Sequence, residues 1–203
     1  EINTVVPLAM QRAAKSTEQS IGVFATQKTV GSGLATKSQR KQVVHHYVLD
    51  FSEHELTDSR KVVELSSGQV YHIEPLPFPG FLAFDPEFLY LFLGPRDDKQ
   101  QASCADAKKL RRSMVVSSII PVDHYDPATG RTADGSNRLR YLAGTEAGEL
   151  YMIAVNLNMV HAYFNPEAKR AGGTLEVEDN EAQLVCMEFL GARLSSCSSL
   201  LYL

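Results

Sequence analysis

Cysteine is scarce in this chain of 203 residues: Cys104, Cys186 and Cys197 are the only three, and no Cys-x-x-Cys spacing occurs. An odd number so spread gives neither a disulfide framework nor a zinc site. No Asn-x-Ser/Thr sequon is present, which agrees with a reducing, intracellular setting. Long hydrophobic runs are missing too. The longest, around Phe88–Leu93, falls far short of the roughly 20 residues a membrane span needs, and the first residues lack the basic-then-apolar pattern of a secretory signal. A cytosolic or nuclear location without membrane contact is therefore expected. Nor is there an excess of basic charge: Lys plus Arg total 20 against 24 Asp plus Glu, for a net charge of −4 and a pI near 5.9. Without a global positive field, no direct hold on nucleic acid is expected.

What is present is ordinary globular composition, 44% hydrophobic and 22% charged, on a length that suits one large domain or two small ones. The chain begins at Glu1 rather than Met and stops within the apolar run Leu200-Leu201-Tyr202-Leu203, so a piece excised from something longer is expected. Short runs rich in β-branched and aromatic residues recur at 20–27, 42–51, 61–65, 69–73, 81–84, 88–93, 114–120, 139–143, 149–155, 184–190 and 198–203. Their lengths are those of strands, and clusters such as Ser66-Ser67-Gly68, Pro75 to Gly80 and Asp126 to Gly130 supply turns between them. Only 8–15 and 102–112 have a helical composition, and neither carries a convincing apolar stripe, so no helical layer is expected.

Several strands read apolar on both faces. In 42–51 one face carries Val43, His45, Tyr47 and Leu49 and the other Val44, His46 and Val48; in 149–155, Leu150, Met152 and Ala154 oppose Tyr151, Ile153 and Val155. Strands covered on two sides, with almost no helix to cover them, predict sheets stacked on sheets, as the blades of a β-propeller are. The expected architecture is an all-β, partial, WD40-like propeller without the Trp-Asp signature, since tryptophan is absent altogether. About three four-stranded antiparallel blades fit, at about 3–65, 69–112 and 113–190, with 197–203 opening the next. Because closure needs at least four blades, the chain by itself is expected to form an open arc.

Candidate chemistry is sparse. His45 and His46 are neighbours on an expected strand and so point to opposite faces, which prevents them from holding one metal ion. His72 and His124 have Glu74 and Asp123 close in sequence but no third ligand. Gly31-Ser32-Gly33 has Thr36 in place of a third glycine and no following Gly-Lys-Ser/Thr, so it reads as a hairpin connection rather than a phosphate loop. Ser195, Ser196, Ser198 and Ser199 lack a nucleophile elbow. Arg96, Lys99, Lys108, Lys109, Arg111 and Arg112 outnumber Asp97, Asp98 and Asp106 by three, a balance suited to an acidic partner or to RNA. With no aromatic interleaved for base stacking, that run is expected to be a solvated insertion. No catalytic, cofactor or metal residue is assigned.

Three segments carry a resemblance. The run Arg140-Tyr141-Leu142-Ala143-Gly144-Thr145-Glu146-Ala147-Gly148-Glu149-Leu150-Tyr151-Met152-Ile153 has the form of two strands joined by a turn at Gly148. Ile73-Glu74-Pro75-Leu76-Pro77-Phe78-Pro79-Gly80-Phe81-Leu82-Ala83-Phe84 has that of a Pro-rich strand-turn-strand. Leu184 to Gly191 followed by Cys197 to Leu203 reads as one strand closing a blade and another opening the next. In their order along the chain they resemble the family of multi-propeller scaffolds that includes the large subunit of the UV-damaged-DNA-binding complex, the adaptor of cullin-4 ubiquitin ligases. The large subunits of splicing factor 3b and of the cleavage and polyadenylation specificity factor share that architecture. The resemblance implies a nuclear, also cytoplasmic, scaffold without chemistry or cofactor of its own. One propeller of the parent chain would dock the cullin and the others receive substrate-receptor subunits. A pre-mRNA splicing or polyadenylation scaffold is the alternative, and a propeller hydrolase or lyase using His45, His72 or His124 is the second. The segments 94–112 and 156–183 depart from the family pattern and read as insertions.

Overall fold

A computed structural model describes residues 2–7, 18–29, 39–50, 52, 55–65, 70–94, 103–110, 112–165 and 184–193. These residues are mostly strand, with a single short helix among them. The segment 8–15, of helical composition, and the expected strand at 198–203 lie outside the described residues.

Three four-stranded antiparallel sheets follow one another along the chain. The first runs β1 (Ile2–Pro7), β2 (Glu18–Thr29), β3 (Gln39–Asp50), β4 (Glu55–Leu65), in that spatial order. The second is β5 (His72–Pro75), β6 (Gly80–Phe84), β7 (Phe88–Leu93), β8 (Ser103–Lys109), again in chain order. In the third, β9 (Val116–Pro121), β12 (Arg138–Thr145), β13 (Glu149–Asn156) and β14 (Val185–Arg193) are ordered from one edge to the other. A two-stranded hairpin, β10 (Tyr125–Asp126) and β11 (Arg131–Thr132), is inserted between β9 and β12. By compactness the chain divides into two units, one of residues 1–85 with 90–105 and one of 86–89 with 106–203.

In the first unit β2 and β3 pair without interruption from Glu18 opposite Asp50 to Thr29 opposite Gln39, whereas β4 meets β3 with two irregularities. The core here gathers Phe24 and Val44 with Val70, Ile73, Phe81, Ala83 and Phe92, the rings of Phe81 and Phe92 stacking at 4.9 Å. Burying a side chain of this size contributes about 1.5–3 kcal/mol. One buried polar residue is paired on both sides of its amide: Gln42 donates through Nε2 to the Val70 carbonyl at 2.5 Å and accepts from the Val70 amide at 2.9 Å. A side-chain amide thus continues the hydrogen bonding of β3 into the chain entering β5. Every residue of β6 is buried, and adjacent Leu91, Phe92 and Leu93 of β7 are too, so both faces of these strands are covered.

The second unit is less even. In β12 and β13, Leu139, Tyr141, Ala143, Tyr151, Ile153 and Val155 are buried on one face, while Leu142, Leu150, Met152 and Ala154 are only half-buried. On β9 only Val116 is buried, and Ile120 is 56% exposed. Two-sided packing therefore does not extend to all strands of this sheet. The bidentate pairing of Arg140 with Asp123 fastens the chain leaving β9 onto β12: Nη2 donates to one carboxylate oxygen at 2.6 Å and Nε to the other at 2.9 Å. The same carboxylate accepts the Arg140 amide at 2.8 Å, standing in for a backbone carbonyl just beyond the last ladder pair.

Two expectations are corrected. Residues 102–112, given a helical composition and read within an insertion, hold the strand β8, the outer strand of the second sheet. The helix instead is α1 (Leu157–Phe164), inside the stretch read as the second insertion and in neither segment of helical composition. Asn156 caps it, its side chain accepting from the Met159 amide at 3.2 Å, and Leu157 and Val160 are its buried face.

Candidate functional site

The site is built on the end of β8, the segment that follows it, and the edge of the third sheet, all within the second unit. Leu110 donates its amide to the Glu87 carbonyl at 2.7 Å and Met114 to the Pro86 carbonyl at 3.0 Å, which fixes the course of the chain on either side of Arg112. From β8 the Val185 amide of β14 reaches the Asp106 carboxylate at 3.1 Å. Between these segments and β13–β14 lies a cavity of about 560 Å³ lined by Lys108, Lys109, Leu110, Arg112, Met114, Tyr151, Met187, Glu188 and Phe189.

Glu149 is the buried anchor of its wall. The residue is only 4% exposed, and its carboxylate accepts from the Arg112 guanidinium and, at 3.0 Å, from the Tyr151 hydroxyl. Arg112 also donates to that hydroxyl at 3.3 Å. Hydrogen bonds to Tyr151 and Glu149 raise the Arg112 pKa further above its ordinary value, so the guanidinium is a permanent cation. Its Cζ lies 6.0 Å from the centroid of the Phe189 ring, within cation–π range, and Tyr151 packs against Phe189 with centroids 5.3 Å apart. Arg112 is thus held in one place by a buried acid, while half of its side chain faces solvent. Cations beside aromatic and thioether surface can hold a negative group with an apolar neighbour.

The sequence marked the basic run but not the site. Lys108, Lys109 and Arg112 belong to it, and the aromatic surface missing from the run itself is supplied by Tyr151 and Phe189, about 40 and 80 residues further on. No local pattern carries that information, since it depends on the pairing of β13 with β14. The remaining cations of the run, Arg96, Lys99 and Arg111, lie outside the described residues.

The histidines are dispersed. His45 sits on β3 opposite Val23 and Lys61, its ring 6.2 Å from that of Tyr47. His46 pairs with Gly22 on the neighbouring strand. His72, on β5, meets Phe84 edge-on at 5.9 Å and holds Nε2 3.7 Å from the Glu74 carboxylate, with no hydrogen-bond partner for that nitrogen. His124 is exposed beside the Asp123–Arg140 clasp, where its carbonyl accepts from the Ala133 amide at 2.8 Å. Among the described residues no three His, Cys, Asp or Glu side chains are grouped so as to hold a metal ion. Gly31, Gly33 and the serines from 195 to 199 lie outside the described residues.

Comparison of the chain with known protein families, curated proteins and solved structures finds no match in any of the three.

Proposed function

We propose that the chain is part of a β-propeller scaffold that binds proteins: the receptor-binding propeller of a cullin-RING ubiquitin-ligase adaptor acting in DNA-damage recognition and repair. The observation that carries the reading is the succession of three four-stranded antiparallel sheets, at 2–65, 72–109 and 116–193, each closed within its own stretch of chain. Four strands laid down one beside the next, then four more, is how propeller blades are written into a sequence. The exposed large apolar residues among those described support it: Val5 lies on β1, Val115, Ile120 and Val122 on or beside β9, and Phe189 and Leu190 on β14, all at sheet edges where further protein would cover them. The three segments that resemble the adaptor family supply the biological setting, and its substrate receptors and cullin are the partners proposed.

The splicing or polyadenylation scaffold shares this architecture, and the two readings part on partners alone. Affinity purification of the full-length parent protein separates them. Recovery of a cullin with substrate-receptor subunits supports the ligase reading, whereas recovery of spliceosomal or polyadenylation subunits without a cullin overturns it.

A further inference from the structure

We infer that the cavity beside β14 is a docking site for an extended acidic peptide, an apolar side chain of which enters between Met187, Phe189 and Tyr151 while its carboxylates meet Lys108, Lys109 and Arg112. The inference rests on the scaffold reading in taking a protein segment as ligand.

Three observations of different kinds meet here. The first is topological: β14 ends the sheet order, so one of its edges is paired with no other described strand and, beyond Val185, whose amide is taken by Asp106, offers its main chain to an added strand. The second is shape and surface. A cavity of about 560 Å³ opens at that strand, Met187 and Phe189 stand two residues apart on it, and Phe189 is 47% exposed although its ring is already placed by Tyr151 and Arg112. An aromatic surface held in position and left half open costs little to bind, because its entropy is already spent. The third is charge. The lining carries three cations against the single carboxylate of Glu188, in a chain whose net charge is −4. Glu149, bonded to Arg112, and Asp106, bonded to the Val185 amide, are not among the lining residues, so the excess of cations is that of the cavity surface itself. Field and edge therefore select a negatively charged strand over a basic one, and the apolar wall selects peptide over a bare anion.

The experiment uses the full-length parent protein and a fluorescein-labelled nonapeptide of alternating glutamate and valine around a central phenylalanine, read by fluorescence anisotropy. Binding is expected for this peptide and not for its lysine counterpart. Lys109→Glu is expected to weaken it about fivefold, Phe189→Ala about tenfold, and Glu188→Lys to strengthen it about threefold. All three positions are solvent-exposed, and circular dichroism confirms the fold of each variant. Equal binding of the lysine peptide, indifference to Lys109→Glu and Phe189→Ala, or no binding at all would overturn the site. So would displacement by millimolar inorganic phosphate, which marks a small-anion site, or tighter binding of polyuridylate, which marks an RNA site. Each of these leaves the recovery of cullin subunits untouched, so the site and the scaffold reading fail separately.

Discussion

At Gly148 a single residue decides a hairpin. The loop between β12 and β13 is three residues, Glu146-Ala147-Gly148, and Gly148 closes it by donating its amide to the Thr145 carbonyl at 2.9 Å. Its φ of 74° lies in the left-handed region, where a Cβ meets the backbone. Gly148→Val is therefore expected to cost about 1–3 kcal/mol, while Glu146→Ala at the exposed tip costs less than about 0.5, as measured by denaturant titration. The turn glycine was legible in the sequence from its position between two apolar runs. Gly144 is a close contact, where a Cβ would stand 2.9 Å from the Ser118 Oγ. Gly80 was legible only as part of a turn cluster, yet it is the tighter position. A Cβ on it would lie 2.5 Å from the Phe92 carbonyl oxygen, which backbone pairing prevents from moving aside. Gly80→Ala should accordingly destabilise the protein by about 3 kcal/mol in the same titration, and a neutral result would mean that β6 and β7 leave room for a Cβ at this position.

Elements were readable where composition and pairing agree. Runs such as Phe88–Leu93 and Glu149–Asn156 are β-branched or aromatic, and they are strands. β8 was misread because Ser103-Cys104-Ala105-Asp106-Ala107-Lys108-Lys109 has the alanine and lysine of a helix, and only a place at the edge of the second sheet makes it extended. The helix α1 was missed for the opposite reason: Tyr163, Phe164 and Val160 lower its intrinsic propensity, and what fixes it is the Asn156 cap together with the burial of Leu157 and Val160. The clasp at the end of β9 carries a pH signature. Hydrogen bonds from Arg140 hold the Asp123 carboxyl below the usual carboxylate range, so its folded pKa is below its unfolded one. Its contribution is complete above about pH 4 and is lost as pH falls through the lower, folded value. Because Arg140 is partly solvated, Asp123→Asn should cost only about 1 kcal/mol at pH 7. Urea titrations at pH 7 and in strong acid should show the gap between parent and variant closing in acid; an unchanged gap would mean that the carboxylate charge contributes nothing.

At the scale of the whole molecule, the exposed large apolar residues among those described lie on or beside edge strands, which are the usual templates for unwanted pairing. The isolated chain should therefore self-associate at micromolar concentration in light scattering, and replacing Ile120 and Val122 together by serine should reduce the association; a clean monomer would mean that these edges are covered within the chain. The strand-length runs made an all-β reading available from sequence. The cavity at β14 was not available, because its walls come from segments that only the sheet pairing brings together. The central proposal is that the three sheets are consecutive blades of one propeller, and a cryo-electron-microscopy map of the full-length parent protein tests it most directly. The account predicts the sheets at 2–65, 72–109 and 116–193 arranged in that order around a common axis, with β1, β5 and β9 innermost. A map in which they stack as a sandwich, or share no axis, would contradict it.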